Sequence, residues 1–180
     1  MSGSRIRAAG AADAESIAAL NLACWRETYS GLLPAETMAE LTSAERLHHW
    51  RAAFAADTAN VLLTIDDDGV AVGFSEWRPH QFAFRGRIGR GAEISAIYLL
   101  RSAQRRGLGR ALMRRMAQEM RADGLKWAGL VVLRDNLPAR RFYEALGGRR
   151  FGRETVRRGA PQLAYGWRDL ARLAGDGDLG

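Results

Sequence analysis

Cysteine is almost absent from this sequence. Of its 180 residues, only Cys24 carries a thiol. A single thiol cannot form a disulfide framework or a cysteine zinc site within one chain, so both are excluded. Three aspartates precede a glycine at 66–69, but the ligand spacing of a calcium loop is missing, and the segment is typical of a hairpin turn. We therefore predict that the protein holds no metal.

Long apolar runs are missing as well. No stretch approaches the roughly 18 apolar residues that a membrane-spanning helix requires. Residues 1–16 contain no apolar segment of the kind that signal peptides carry. These absences, together with the scarcity of cysteine, predict a protein of the reducing cytoplasm with no membrane partner.

Lysine is scarce as well. The chain has 27 basic and 20 acidic residues, and Lys126 is the one lysine among them. A preference for arginine this strong is also typical of a GC-rich genome, so the net charge of +7 says little about nucleic acid. Residues 101–115, however, hold six arginines and no acid. Such a concentrated positive segment indicates either a polyanionic ligand or plain solvation.

The length and the order of elements predict one domain at 1–172 and a flexible tail at 173–180. Strand patterns occur at 5–8, 61–65, 70–77, 93–100, 127–133, 149–158 and 161–168, and helix patterns at 13–29, 43–54, 107–124 and 137–146. We expect Asp13, Ser43 and either Asp135 or Asn136 to begin three of these helices. A basic loop is expected at 78–91. The pattern predicts an α/β fold with a mixed central sheet of about six to seven strands and about four helices.

One loop carries the features of a phosphate site. Residues 104–109 read Gln-Arg-Arg-Gly-Leu-Gly and lie between a predicted strand and a predicted helix. Small residues allow backbone N–H groups to approach phosphate oxygens, and a helix N-terminus attracts the negative charge. The glycine spacing fits neither a dinucleotide-binding fingerprint nor a Walker loop. From these residues alone, a glycine turn before an arginine-rich surface helix remains an alternative.

Three segments, taken together, resemble the GNAT N-acetyltransferases. The loop at 104–109 matches the family motif Gln/Arg-x-x-Gly-x-Gly/Ala, and Glu93–Leu99 is similar to its fourth strand. Residues 134–147 resemble the family segment Asn…Ala…Phe-Tyr-Glu…Leu-Gly. The resemblance implies the GNAT fold, in which the fourth strand splays away from the fifth. The sequence departs from the pattern at Gly148, where many members have phenylalanine, so we expect altered packing under the last hairpin.

The resemblance implies acetyl-CoA as the donor co-substrate. In the family its pyrophosphate lies on the amides of the loop, and pantetheine enters the gap between the fourth and fifth strands. Ile97 and Leu99 would offer backbone hydrogen bonds to pantetheine, with the Ile97 N–H as oxyanion donor. The implied donor-binding residues are Ile97, Leu99, Gln104, Arg105, Arg106, Gly107, Leu108, Gly109, Arg110, Asn136 and Tyr143.

Two side chains are candidates for the proton transfers that amine acetylation requires. Glu93 lies 14 residues before Gly107, which is the family spacing of the glutamate base, and we expect it to act through water. Its alternative role is a carboxylate that pairs with nearby arginines. Tyr143 matches the family's acid, which protonates the departing thiolate. Its alternative role is packing beside a core stripe of Ala139, Phe142 and Leu146.

The acceptor is not specified by the sequence. Trp25 and Tyr29 share a helix face and, with Glu93, are candidates to bind an amine, although such an aromatic pair is often part of the core. The leading interpretation is an acetyl-CoA-dependent N-acetyltransferase that acts on a primary amine of a small molecule or a protein N-terminus. The alternatives are a noncatalytic acyl-CoA-binding module and, least favoured, a nucleic-acid-binding protein. Dimers are common in the family, so a homodimer stays open.

Overall fold

The computed structural model describes residues 4–80, 90–157 and 159–175. Within these residues, seven strands form one sheet in the order β1-β2-β3-β4-β5-β7-β6. The strands are β1 (Arg5–Ala8), β2 (Asn60–Ile65), β3 (Ala71–His80), β4 (Gly91–Leu99), β5 (Trp127–Leu133), β6 (Arg149–Arg157) and β7 (Ala160–Trp167). The helices are α1 (Ala14–Tyr29), α2 (Ala35–Ala39), α3 (Ser43–Ala55), α4 (Leu108–Ala122), α5 (Leu137–Ala145) and α6 (Leu170–Ala174).

The sheet is mixed, as the sequence predicts. β1 and β2 pair antiparallel, as do β2 with β3, β5 with β7 and β6 with β7. β4 and β5 pair parallel, with Gly91 opposite Trp127 and Glu93 opposite Gly129. Over the residues that the structure describes, this register ends at Glu93, whereas β4 continues to Leu99 and β5 to Leu133. The predicted splayed pair is therefore confirmed.

The chain divides into two compact units, of which the first comprises Met1–Trp77 and Ala96–Leu112. Its core is a cluster of buried side chains from α1, α3, β2 and β3, which includes Ile17, Trp50, Leu63 and Phe74. The apolar residues of α1 at helical spacing and the β-branched and aromatic residues of the two strands explain why these elements form and which faces they bury.

The second unit comprises Arg78–Ser95 and Met113–Gly180. Met113, Met116 and Met120 of α4 are completely buried, because they lie three and four residues apart on one helix face. β5 is buried along almost its whole length, as is typical of a central strand.

Most predicted elements are confirmed, and the differences are local. The structure adds two five-residue helices, α2 and α6, to the four predicted. Thr42 rather than Ser43 caps α3, because its hydroxyl accepts a hydrogen bond from the Glu45 N–H in a capping box. Leu173 and Ala174, which the sequence assigns to the flexible tail, are buried residues of α6. Residues 81–89 of the expected basic loop and 176–180 of the tail lie outside the described residues.

Candidate active site

The loop before α4 adopts an unusual backbone conformation. A short 3-10 turn at Arg101–Ala103 leads into it. Arg105 has a φ of +61° and Gly107 a φ of +83°, both in the left-handed region. Alternation of left-handed with ordinary residues turns successive N–H groups toward one side and creates a concavity suited to anions. A left-handed arginine is strained, and such strain is concentrated at functional sites.

The helix that follows adds to this concavity. The Ala111 N–H donates to the Gly107 carbonyl at 3.0 Å, which is the first hydrogen bond of α4. The N–H groups up to Arg110 therefore have no partner inside the helix and form its positive end. Arg105, Arg106 and Arg110 are exposed around it. This arrangement can hold a phosphate or a pyrophosphate.

Gln104 fixes the loop to the preceding strand. Its side-chain amide donates to the Leu99 carbonyl at 2.9 Å. The predicted motif glutamine thus has a structural partner within the chain. This contact sets the distance between the end of β4 and the loop, so the two form one continuous element of the first unit.

The outer half of β4 presents backbone groups away from β3. The Leu100 N–H donates to the Val72 carbonyl at 2.9 Å, so the backbone groups of Leu100 face β3. Because alternate residues of a strand point their N–H and C=O to opposite edges, those of Ile97 and Leu99 face the other edge. Both residues lie beyond the end of the β4–β5 register, at Glu93, within the described part of the chain. Their amides are suitably directed to pair with an extended ligand.

Gly73 of β3 allows this half of β4 to approach closely. A Cβ atom at position 73 would meet the Leu99 side chain and would lie 2.8 Å from the Tyr98 carbonyl oxygen. A side chain of any kind would therefore force the two strands apart. Glycine at this position therefore permits β4 to lie close to β3 in the stretch beyond the β4–β5 register.

Glu93 lies in the second unit, near the start of β4. Its side chain is 44% exposed, and its Oε2 lies 3.8 Å from Nδ1 of His80 at the end of β3. The expected alternative partner was an arginine, whereas the structure places a histidine beside the carboxylate. The sequence does not predict this contact of His80, because only the pairing of β3 with β4 brings the two residues together. A half-exposed carboxylate is accessible to water, as a base acting through water requires.

α5 carries the other two predicted residues of the second unit. Asn136 is its N-cap, and its side-chain oxygen accepts a hydrogen bond from the Ala139 N–H at 3.2 Å. Of the two expected caps, Asp135 and Asn136, the structure selects Asn136. Because the oxygen is occupied, the amide nitrogen of Asn136 is the group suited to a ligand.

The orientation of α5 differs from the prediction. Tyr143 is 7% exposed, whereas the expected core residues Ala139, Phe142 and Leu146 are only partly buried. The Tyr143 ring lies 6.2 Å from that of Tyr165 and 6.0 Å, edge to face, from that of Trp167. The predicted core stripe is therefore wrong. The helix face that carries Tyr143 is buried instead, because this ring packs against two aromatic residues of β7.

Trp167 also explains the departure at Gly148. A Cβ atom at position 148 would lie 2.8 Å from the Trp167 ring and 2.8 Å from the Tyr143 carbonyl oxygen. The Trp167 indole N–H donates to the Leu146 carbonyl at 2.9 Å. The tryptophan thus occupies the space beneath the hairpin, and the position after Gly147 has room for glycine alone.

The candidate acceptor residues belong to a row of aromatic side chains in the first unit. The rings of Trp25 and Tyr29 lie 4.4 Å apart, edge to face. The hydroxyls of Tyr29 and Tyr98 share a hydrogen bond of 3.0 Å. Burial raises the pKa of Tyr29, against the opposing effect of this hydrogen bond. Tyr98 in turn packs against Phe74 of the core, so the row extends from the core to Trp25.

Cys24 is not available as a nucleophile. It is completely buried in α1, and burial raises the pKa of its thiol to about 12, with a smaller contribution from the Glu27 carboxylate. At neutral pH the neutral thiol therefore predominates overwhelmingly, and it is the thiolate that attacks carbonyl carbon.

We expect Cys24→Ala to retain the unaltered enzyme's kcat within about twofold and to lose about 1 kcal/mol of unfolding free energy, because a small buried group is removed. Steady-state kinetics and urea unfolding measure the two effects. In the unaltered protein, a thiol reagent should label Cys24 rapidly only in denaturant. A folded Cys24→Ala variant without activity would instead identify this thiol as an acetyl carrier.

The described residues contain no group of three or more His, Cys, Asp or Glu side chains placed to hold a metal ion. Among the helices that the structure describes, none combines the length and apolarity needed to cross a membrane.

Comparisons with known proteins give the family of this chain. The model of the acetyltransferase (GNAT) family matches residues 21–148. YuaI of Bacillus subtilis (strain 168), described as an uncharacterized N-acetyltransferase, is 29% identical over 171 residues, which cover 93% of this chain and 95% of YuaI.

Solved structures share the fold at lower identity. The PaiA N-acetyltransferase of Thermoplasma acidophilum, in complex with coenzyme A, superimposes with a TM-score of 0.70 at 18% identity and covers 92% of this chain and 99% of its own. The aminoglycoside N-acetyltransferase AAC(6')-Iy, in complex with CoA, gives a TM-score of 0.70 at 18% identity, covering 88% of this chain and 95% of its own. The fold and the family model agree, and the chain belongs to the GNAT family of acetyltransferases.

Proposed function

We propose that this protein is an acetyl-CoA-dependent N-acetyltransferase, which transfers acetyl directly from the thioester to a primary amine in a ternary complex. The observation that carries the proposal is the pair of left-handed residues, Arg105 and Gly107, ahead of the positive end of α4. Two proteins of the same fold bind coenzyme A in their solved structures.

The donor is proposed to bind along the loop and the outer half of β4. The amides of residues 107–110, together with the exposed arginines, suit the pyrophosphate. Ile97 and Leu99, whose backbone groups face away from β3, suit the amides of pantetheine. Asn136 is proposed to donate from its side-chain nitrogen to the pantetheine arm, since its oxygen caps α5.

The chemistry follows from the proton balance of the reaction. An alkylammonium first loses a proton to give the neutral amine, whose nitrogen attacks the thioester carbonyl carbon. The C–S bond breaks, the nitrogen releases one further proton to water, and the thiolate gains one. We assign acceptance of the ammonium proton to Glu93 through water. We assign protonation of the thiolate to the Tyr143 hydroxyl on the family motif alone, since its ring packs against Tyr165 and Trp167. The Ile97 N–H is assigned to the carbonyl oxygen, where its hydrogen bond strengthens as negative charge develops.

Ligand-dependent thermal unfolding tests the donor assignment. Acetyl-CoA at about 100 times its Kd should stabilise the protein by about 2.7 kcal/mol, which corresponds to a Tm rise of several degrees at this size. Inorganic pyrophosphate and a short DNA duplex at matched ionic strength are the controls and should give much smaller shifts. Equal shifts from all three would contradict the proposal and favour a nonspecific polyanion surface.

Catalysis is tested separately from binding. Thiol release from acetyl-CoA in the presence of a panel of primary amines should be faster than in their absence. Donor binding without thiol release across a panel of small amines and peptide N-termini would instead favour a noncatalytic acyl-CoA-binding module.

A further inference from the structure

The end of α1 is joined to the entrance of the candidate donor loop by two reciprocal hydrogen bonds. The Glu27 carboxylate accepts from the backbone N–H of Arg101 at 2.7 Å. The Arg101 guanidinium donates to the backbone carbonyl of Glu27 at 2.6 Å. The two residues are 74 positions apart and both belong to the first unit. Each side chain thus forms a hydrogen bond with a backbone group of the other residue.

These bonds supply a cap that the local sequence lacks. The 3-10 turn at Arg101–Ala103 follows Leu100, whose side chain forms no capping hydrogen bond. An orphan N–H at the start of such a turn is normally satisfied by a neighbouring polar side chain. Here the acceptor is not a neighbour in sequence but the Glu27 carboxylate of α1. A hydrogen bond to an ionised group is stronger than one between neutral groups.

The capped turn leads without interruption into the candidate donor loop. The Ala103 N–H donates to the Leu100 carbonyl, and the Gln104 N–H to the Arg101 carbonyl, at 2.9 and 3.2 Å. The next residue is Arg105, with its left-handed φ of +61°. A strained conformation persists only where its surroundings hold it in place. On the N-terminal side of Arg105, the Glu27–Arg101 pair holds the turn, and the hydrogen bond from Gln104 to Leu99 holds the start of the loop.

We propose that Glu27 is a positioning residue of the donor site: through Arg101 it holds the loop at 104–109 in the conformation that receives the donor's phosphates. The inference rests on the proposed function, because it takes the loop to be the pyrophosphate site. In this role Glu27 acts through Arg101 and not through contact with the donor. Its loss is therefore expected to raise the KM for acetyl-CoA while leaving kcat at saturating donor almost unchanged.

Three variants test the proposal. Glu27→Ala removes the acceptor and should raise the KM for acetyl-CoA roughly tenfold, which is the loss of about 1.4 kcal/mol. Glu27→Gln keeps an oxygen that can accept from the Arg101 N–H and should recover most of the affinity, to within about threefold of the unaltered protein. Glu15→Ala is the matched control, since Glu15 lies on the same helix and also bonds an arginine, Arg51, at the surface. It should leave the KM unchanged.

The outcomes separate this inference from the proposed function. An unchanged donor KM in a folded Glu27→Ala variant would overturn the positioning role, as would equal losses in Glu27→Gln and Glu27→Ala. If Glu27→Ala does not fold, the acetyl-CoA affinity of Glu27→Gln, measured by titration calorimetry, decides: an affinity more than tenfold weaker would overturn the role. Absence of acetyl-CoA binding by the unaltered protein would overturn the proposed function, and this inference with it.

Discussion

Gly107→Ala is expected to weaken acetyl-CoA binding roughly tenfold. A Cβ at position 107 would meet nothing within 4 Å, so no clash arises. The residue has a φ of +83°, however, and a left-handed alanine costs about 1–2 kcal/mol. The loop can escape this cost by leaving the left-handed conformation, and its N–H groups then no longer converge on the phosphates. Titration calorimetry with acetyl-CoA measures the loss.

Gly69→Ala is the matched control for this substitution. Gly69 has a φ of +81°, and a Cβ there also meets nothing within 4 Å. It lies in the turn between β2 and β3, where the Gly69 N–H donates to the Asp66 carbonyl at 3.2 Å. Both variants should lose similar unfolding free energy, but Gly69→Ala should bind acetyl-CoA normally. Equal donor affinity in the two variants would show that the loop conformation does not matter for binding.

Glu93→Gln is expected to lower kcat/KM about 100-fold, with the largest loss below neutral pH. A general base raises the reaction rate about 10²- to 10⁴-fold, and its contribution is largest at a pH at which the amine is protonated. The amide has nearly the same size and cannot accept the proton. Donor affinity should be unchanged, because the expected role concerns the acceptor amine. The pH dependence of kcat/KM, measured with a chosen amine, is the test.

Glu119→Gln provides the comparison for Glu93→Gln. Glu119 is a partly exposed carboxylate that bonds Arg115 one helical turn earlier, at 2.8 Å. Its substitution removes a negative charge from the same unit and should leave the pH–rate profile as it is. A Glu93→Gln variant whose profile also matches that of the unaltered enzyme would exclude Glu93 as the base.

The sequence predicts the elements whose signals are local. β5 is found at the predicted bounds, because a continuous apolar run lies between a helix-ending glycine and a capping asparagine. α5 begins at Leu137, as predicted, and Asn136 is its cap, one of the two expected candidates. α2 and α6 escape prediction, since five residues are too few to show a helical period. The cap of α3 differs by one residue, within the usual uncertainty of helix boundaries.

The candidate site could be predicted only where it is continuous in sequence. The loop at 104–109 carries its own glycines and arginines, and its place between β4 and α4 is confirmed. The side-chain arrangement around it depends on distant partners. Tyr143 takes the core position because Tyr165 and Trp167 meet it from β7. Glu27 meets Arg101 from a helix near the other end of the chain. The hydrophobic periodicity of a sequence does not indicate such contacts between distant residues.

Gly73 limits how this part of the chain can drift during evolution. The atom that position 73 excludes is the Cβ, which every other amino acid possesses. Its nearest rigid neighbour is the backbone oxygen of Tyr98, which cannot rotate away. Alanine, the smallest replacement, therefore already meets this obstacle. Substitution there becomes accessible only after β4 has moved, so the path of that strand must change first.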